Sequence, residues 1–171
     1  MEMIEEKHEK MKDIIVFAIK LSVLSLVLYA ISRSFNFYPF QEFTAQRIYD
    51  FLVLVESSAS REGTRIVINE FNFIITEDCT AWRGMFFFFA LVASSGKSVL
   101  DVSKGILVGI PVLYSLNLLR IVALMFTLPI AGPAYYDVLH GALWQTTMIL
   151  FVFFLWIMWT KRTNFLTREN N

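Results

Sequence analysis

Cys79, Arg120 and His140 each sit within or at the edge of a different long apolar segment of this chain. Titratable or charged groups inside membrane spans are costly and are read as functional by default, and Cys79 is the only cysteine in the sequence. A thiol attacks a carbonyl carbon as its thiolate, a form that nearby positive charge favours. A guanidinium can hold the oxyanion formed by that attack, and an imidazole can carry the protons. Brought to one membrane face, the three residues suit thiol-dependent acyl transfer.

Their neighbours extend the pattern. Asn117 precedes Arg120 by one turn, so both polar groups project from one helical face. Asp137 stands one turn before His140, where it can fix the imidazole tautomer or simply cap a helix. Arg83 follows Cys79 at i+4, and a helix beginning around Asp78 would set its positive charge on the thiol's face, while Glu77 and Asp78 act in the opposite sense. Blander readings stand beside each of these. Cys79 can be an inert buried cysteine, Arg120 can satisfy a carboxylate or carbonyls between helices, and His140 can be an interfacial polar residue.

The elements that must position these groups are membrane helices. The 171 residues are 56% hydrophobic with a mean hydropathy of +0.56, above what a soluble domain normally carries. A crossing needs about 20 helical residues for a hydrocarbon core of roughly 30 Å. Segments 14–31, 79–95, 105–130 and 138–160 meet or approach that length, giving a single transmembrane domain over 1–171. The second is the shortest and qualifies only if it starts near Cys79. The first is too long for a signal-peptide core and has an acidic flank, so it reads as an uncleaved span.

Several function classes lose support. A net charge of zero and the lack of a Lys/Arg stripe with interleaved aromatics argue against nucleic acid. One cysteine and two histidines offer neither an intrachain disulfide nor a metal cluster, and no organic cofactor is implied. The Gly96-Lys97-Ser98 fragment lacks the upstream glycine of a phosphate loop, Leu91 standing in its place.

Orientation follows Lys and Arg in the short flanks. Lys161, Arg162 and Arg168 mark the C-terminus as cytoplasmic, Lys97 and Lys104 mark the loop between the second and third spans likewise, and Lys7, Lys10 and Lys12 agree. Cys79 and His140 then lie at the outer mouths of their spans. Arg120 is roughly 13 Å below the outer end of its own at 1.5 Å per residue, a depth that snorkelling partly recovers. In the outer loop, Phe40, Phe43, Ile48, Phe51, Leu52 and Val55 are spaced for one face of an amphipathic helix lying on the membrane surface. Residues 64–68 and 71–75 alternate around Asn69 and Glu70 as a hairpin. The fold expected is thus an all-α integral membrane protein of about four transmembrane helices, with an amphipathic helix and a small β-hairpin in the outer loop. Gly105 and Gly109 have the spacing of a close helix contact, and the aromatics of 86–89 and 151–159 read as packing or lipid-facing surface.

Glu77-Asp78-Cys79-Thr80-Ala81-Trp82-Arg83 opening one span, Asn117-Leu118-Leu119-Arg120-Ile121 inside the next and His140 opening the last together resemble the exosortase/archaeosortase family. The resemblance covers about residues 71–159, and the order and spacing of the three motifs carry it. It implies a cysteine transpeptidase of the cell membrane, multi-pass with its active site toward the outer face. Its partners would be proteins bearing a C-terminal sorting tail, made of a short motif, a transmembrane helix and a basic cluster. Cys79, Arg120 and His140 would be catalytic, with Arg83, Asn117 and Asp137 in support, and the acceptor would be an amine, such as that of a membrane lipid, or water. This chain departs from the family in having Thr80 then Ala81 where a small residue and then glycine usually follow the cysteine, and it lacks the extra N-terminal spans of larger members. A thiol-dependent processing protease and a noncatalytic membrane scaffold remain the competing readings.

Overall fold

The computed structural model describes residues 2–55, 58–96, 98–131 and 144–169. It opens with α1, Glu2–Ser32, whose 31 residues extend roughly 46 Å at 1.5 Å per residue. Ile14, Ile15, Ile19, Val23 and Leu26 are exposed along it, while Phe17 and Leu21 turn inward. An outward apolar surface of this kind is stable where lipid is the solvent.

A short turn leads into α2, Tyr38–Val55, with the Asn36 side chain accepting a hydrogen bond from the Tyr38 amide at 3.0 Å. The amphipathic helix expected over 40–55 is therefore present, and its apolar side chains divide between the protein and the outer surface. Thr44, Ala45, Ile48 and Leu52 face the protein, whereas Phe43, Phe51 and Val55 are exposed. The packed stripe is the one with small residues, which let the helix approach its neighbours closely.

The expected hairpin is one half of a three-stranded antiparallel sheet, β1 (Ser60–Glu62), β2 (Arg65–Ile68) and β3 (Phe71–Ile74), in that spatial order. Two-residue connections join Glu62 to Arg65 and Ile68 to Phe71. Gly63 at φ 57° and Asn69 at φ 52° take the left-handed conformation in them, which those residue types adopt most readily. Ile66, Ile68, Phe73 and Ile75 are buried on one face against Ala45, Ile48 and Leu52 of α2. Ile121, Val122 and Met125 of α4 (Val99–Ala131) complete this core.

A second core joins α3 (Trp82–Ser95), α4 and α5 (Trp144–Glu169). Gly109 of α4 admits the Phe88 ring of α3 so closely that a β-carbon there would overlap it, and a β-carbon at Gly105 would lie 2.7 Å from Trp159 Nε1. The small-residue pair is thus a helix contact, as its spacing suggests. Trp156 Nε1 donates to Ser95 Oγ at 2.9 Å, tying the end of α3 to α5.

Among the described residues two helices are long and apolar enough to cross a bilayer, Lys7–Ser32 and Val99–Leu128, and two shorter apolar helices accompany them, Trp82–Ser95 and Thr146–Lys161. The segment expected to span from 79 is not one continuous α-helix. A 3₁₀ turn, Glu77–Thr80, precedes it, and α3 itself has 14 residues, roughly 21 Å. The start of the segment expected over 138–160 lies outside the described residues.

Candidate active site

The sheet delivers the thiol. After β3 the amide of Ile75 still donates to Thr64 O at 2.9 Å, and Thr76 remains extended before the chain tightens into the 3₁₀ turn. Within the turn the Cys79 amide donates to Thr76 O at 3.0 Å, and Thr80 Oγ1 donates to Glu77 O at 2.7 Å. Ala81 then takes φ 59°, ψ 10°, a left-handed conformation that costs an L-residue about 1–2 kcal/mol. This is the position where the resembling family usually has glycine, and the backbone supplies the reason: the chain must reverse its twist between the thiol turn and α3. Cys79 therefore sits on the turn that joins the two cores, with its own side chain in the first and Ala81 and Trp82 in the second.

The thiol is 6% exposed, with its Sγ 3.4 Å from Thr76 Oγ1. Across from it, α4 presents Asn117, which is fully buried. Its Nδ2 donates to the Cys79 carbonyl at 2.7 Å, and its Oδ1 accepts from an Arg120 terminal nitrogen at 3.3 Å. One amide thus fixes the thiol turn and the guanidinium relative to each other. Cys79, Asn117 and Arg120, expected together from sequence, are together in the structure. Their separation in sequence is bridged by the packing of α4 on the turn.

Arg83 is placed differently from the expectation. The left-handed residue at 81 interrupts the helix, so i+4 geometry does not hold between Cys79 and Arg83. The guanidinium instead pairs with Asp78 at 2.8 Å on the exposed side and lies 5.3 Å over the Trp82 ring. His140 and Asp137 lie outside the described residues.

Beside this turn, between α3 and α5, is a cavity of ≈ 500 Å³. Asp78, Arg83 and Arg120 supply its polar lining, and Phe87, Met148 and Val152 contribute to its apolar wall. Trp82 also borders it; its ring stacks on Phe37 with centroids 4.6 Å apart, which braces the wall. Thr76 and Trp82 escaped sequence reasoning as site neighbours, and so did the pairing of Asp78 with Arg83. Threonine beside cysteine and an acid five residues before an arginine carry no motif, although the cost of leaving Arg83 beside apolar surface foreshadows a partner. Among the described residues no group of three or more His, Cys, Asp or Glu could hold a metal ion.

The structure is thus a mostly helical membrane protein in which one amide joins the turn bearing Cys79 to an intrahelical guanidinium. A family model for transmembrane exosortases matches residues 11–160. The chain belongs to that family, and an exosortase-type processing role in the membrane comes with it. No curated protein and no solved structure matches the chain.

Proposed function

We propose that the protein is a membrane cysteine transpeptidase that cleaves C-terminal sorting tails and passes the processed protein through a thioester to an amine. The observation that carries this reading is the Asn117 amide, which joins the Cys79 carbonyl to Arg120 at 2.7 and 3.3 Å. An amide that ties the turn of the proposed nucleophile to the proposed oxyanion-binding cation supports this reading, because positioned charge is what acyl transfer requires and a scaffold has little use for it.

The Cys79 sulfur attacks the scissile carbonyl carbon, forming a C–S bond and placing negative charge on the carbonyl oxygen, which Arg120 stabilises. His140, oriented by Asp137, accepts the thiol proton and returns it to the departing amine as the C–N bond breaks. An incoming amine, that of a membrane lipid in this reading, then attacks the thioester carbonyl, forming a C–N bond and giving its proton to His140, and as the C–S bond breaks the thiolate leaves and takes that proton back. Four apolar helices cross the bilayer with both termini cytoplasmic and this chemistry at the outer face. Arg83 lies at the rim, where it can receive a substrate carboxylate in place of Asp78.

The test follows the size of a co-expressed membrane protein bearing a C-terminal motif, apolar helix and basic cluster. Cys79→Ala abolishes its processing and full-length protein accumulates, while Cys79→Ser retains little activity because a hydroxyl ionises far less readily than a thiol. An amine-linked product identifies a transferase, and a free carboxylate with the same cysteine dependence identifies the protease alternative. Normal processing by Cys79→Ala would end both readings.

A further inference from the structure

The sheet that carries the thiol turn has an edge whose hydrogen-bonding groups can be assigned residue by residue. The Ile75 amide donates to Thr64, and the register pairs Arg65 with Ile74, Ile66 with Phe73, Val67 with Asn72 and Ile68 with Phe71. In an antiparallel ladder, hydrogen-bonded and non-hydrogen-bonded pairs alternate. Residues 71, 73 and 75 therefore bond to β2, and the N–H and C=O of Asn72 and Ile74 point away from it. β3 is the last strand of the sheet. Among the described residues, α2 packs on β1 and β2, while α4 meets the Cys79 turn.

Exposed edges are usually blunted by charge, proline or a very short strand. The opposite edge of the sheet follows that rule, since β1 is three residues long and reads Ser60-Arg61-Glu62. β3 does not: Phe71-Asn72-Phe73-Ile74 holds neither a charge nor a proline, and Ile74 is 65% exposed. The strand then leads through Ile75 and Thr76 straight into the turn bearing Cys79.

We infer that the extended motif of the substrate tail binds as a fourth strand on β3, its main chain pairing with the N–H and C=O groups of Asn72 and Ile74 that point away from β2. This rests on the proposed role of Cys79 and deepens it. An extended peptide in that position runs alongside the chain that leads to the thiol, so its scissile carbonyl is carried to Cys79 by backbone pairing. Affinity in such strand addition comes from main-chain hydrogen bonds, and specificity from alternate side chains. Only every second motif residue would then be read, because successive side chains point to opposite faces.

The main experiment uses the full chain in membranes, made Cys79→Ala so that no processing occurs, together with an epitope-tagged, tail-bearing membrane protein from the same cells. A cysteine is placed at Ile74 or, separately, at Asn72, and single cysteines are scanned through the tail ahead of its apolar helix. Asn72 and Ile74 would be the hydrogen-bonded positions toward the added strand, and directly opposed residues in such an antiparallel pair have Cα atoms about 5.5 Å apart, within disulfide range. The expected result is a disulfide maximum at one tail position for Ile74→Cys that moves by two residues for Asn72→Cys, the direction of the shift reporting parallel or antiparallel addition. Absence of disulfides from both positions, or maxima that do not shift by two, would overturn the inference. Because this chain lacks the thiol, the outcome is independent of whether Cys79 is the nucleophile, which the processing assay decides.

Ile74→Pro in the otherwise native chain gives a second reading. Its amide faces away from β2, so proline removes one edge donor and leaves the ladder intact, the setting in which strands tolerate it. Processing is expected to fall about tenfold, the scale of one hydrogen bond, with thermal unfolding unchanged. Native processing by a folded Ile74→Pro chain would count against strand addition, and if that variant does not fold the disulfide register alone decides.

Discussion

Asn117→Leu is the sharpest perturbation of the site because it touches neither the nucleophile nor the cation. The leucine keeps a branched side chain at a fully buried position but removes both hydrogen bonds of the amide, to the Cys79 carbonyl at 2.7 Å and from Arg120 at 3.3 Å. An orphaned buried carbonyl costs about 1–3 kcal/mol and a lost bond to a charged group about 1.5–3 kcal/mol. Polar contacts between membrane helices are usually weaker, about 0.6 kcal/mol on average with a maximum near 1.7. The weak end of the range for the 3.3 Å contact and the middle of the range for the buried 2.7 Å contact sum to about 3.5 kcal/mol, two average membrane contacts to about 1.2, and a combined loss between these, about 2 kcal/mol, is expected. Part of this appears as instability and the rest as misplacement of Arg120. If all of it reached the transition state, the processing rate would fall about thirtyfold at 1.36 kcal/mol per decade. The assay pairs tail processing in isolated membranes with thermal unfolding of the detergent-solubilised protein. A variant matching the native chain in both would refute the claim that this amide positions the site. A change in stability with an unaltered rate would assign Asn117 to folding alone.

Arg120→Lys is expected to remain in the membrane yet lose most activity, because an ammonium keeps the charge without the planar fork that spans two acceptors; processing rate set against membrane abundance checks this. Ala81→Gly relieves a left-handed backbone at φ 59° and is expected to raise stability by about 1 kcal/mol without loss of activity, measured by thermal unfolding and processing of the same preparation. For topology, single cysteines at Ser58 and Ser98 in a Cys79→Ala background should label from outside and only after permeabilisation, respectively, with a membrane-impermeant maleimide. The reverse pattern would invert the orientation.

Much of this protein was decided by local chemistry that a linear reading reaches. The cost of a guanidinium in an apolar segment singles out Arg120, the lack of any other thiol singles out Cys79, and i, i+3 spacing puts Asn117 beside Arg120 on a single helix. The left-handed positions at Gly63 and Asn69 follow from turn chemistry in the same way. Three features depended on tertiary structure. Periodicity collects the apolar positions of α2 but does not say which face lipid and which face protein, since both accept apolar side chains; packing buries Ile48 and Leu52 with Thr44 and Ala45 and leaves Phe43 and Phe51 exposed. β1 has no apolar alternation and becomes a strand because β2 offers it a partner. Arg83 left the thiol's face because i+4 reasoning requires an unbroken helix, and the left-handed Ala81 breaks it between the sheet-borne turn and α3. Nor does sequence spacing state that Asn117, 38 residues beyond Cys79, holds that residue's carbonyl: the contact exists only where α4 packs on the turn, and a side-chain amide takes whichever buried partner the packing brings to it.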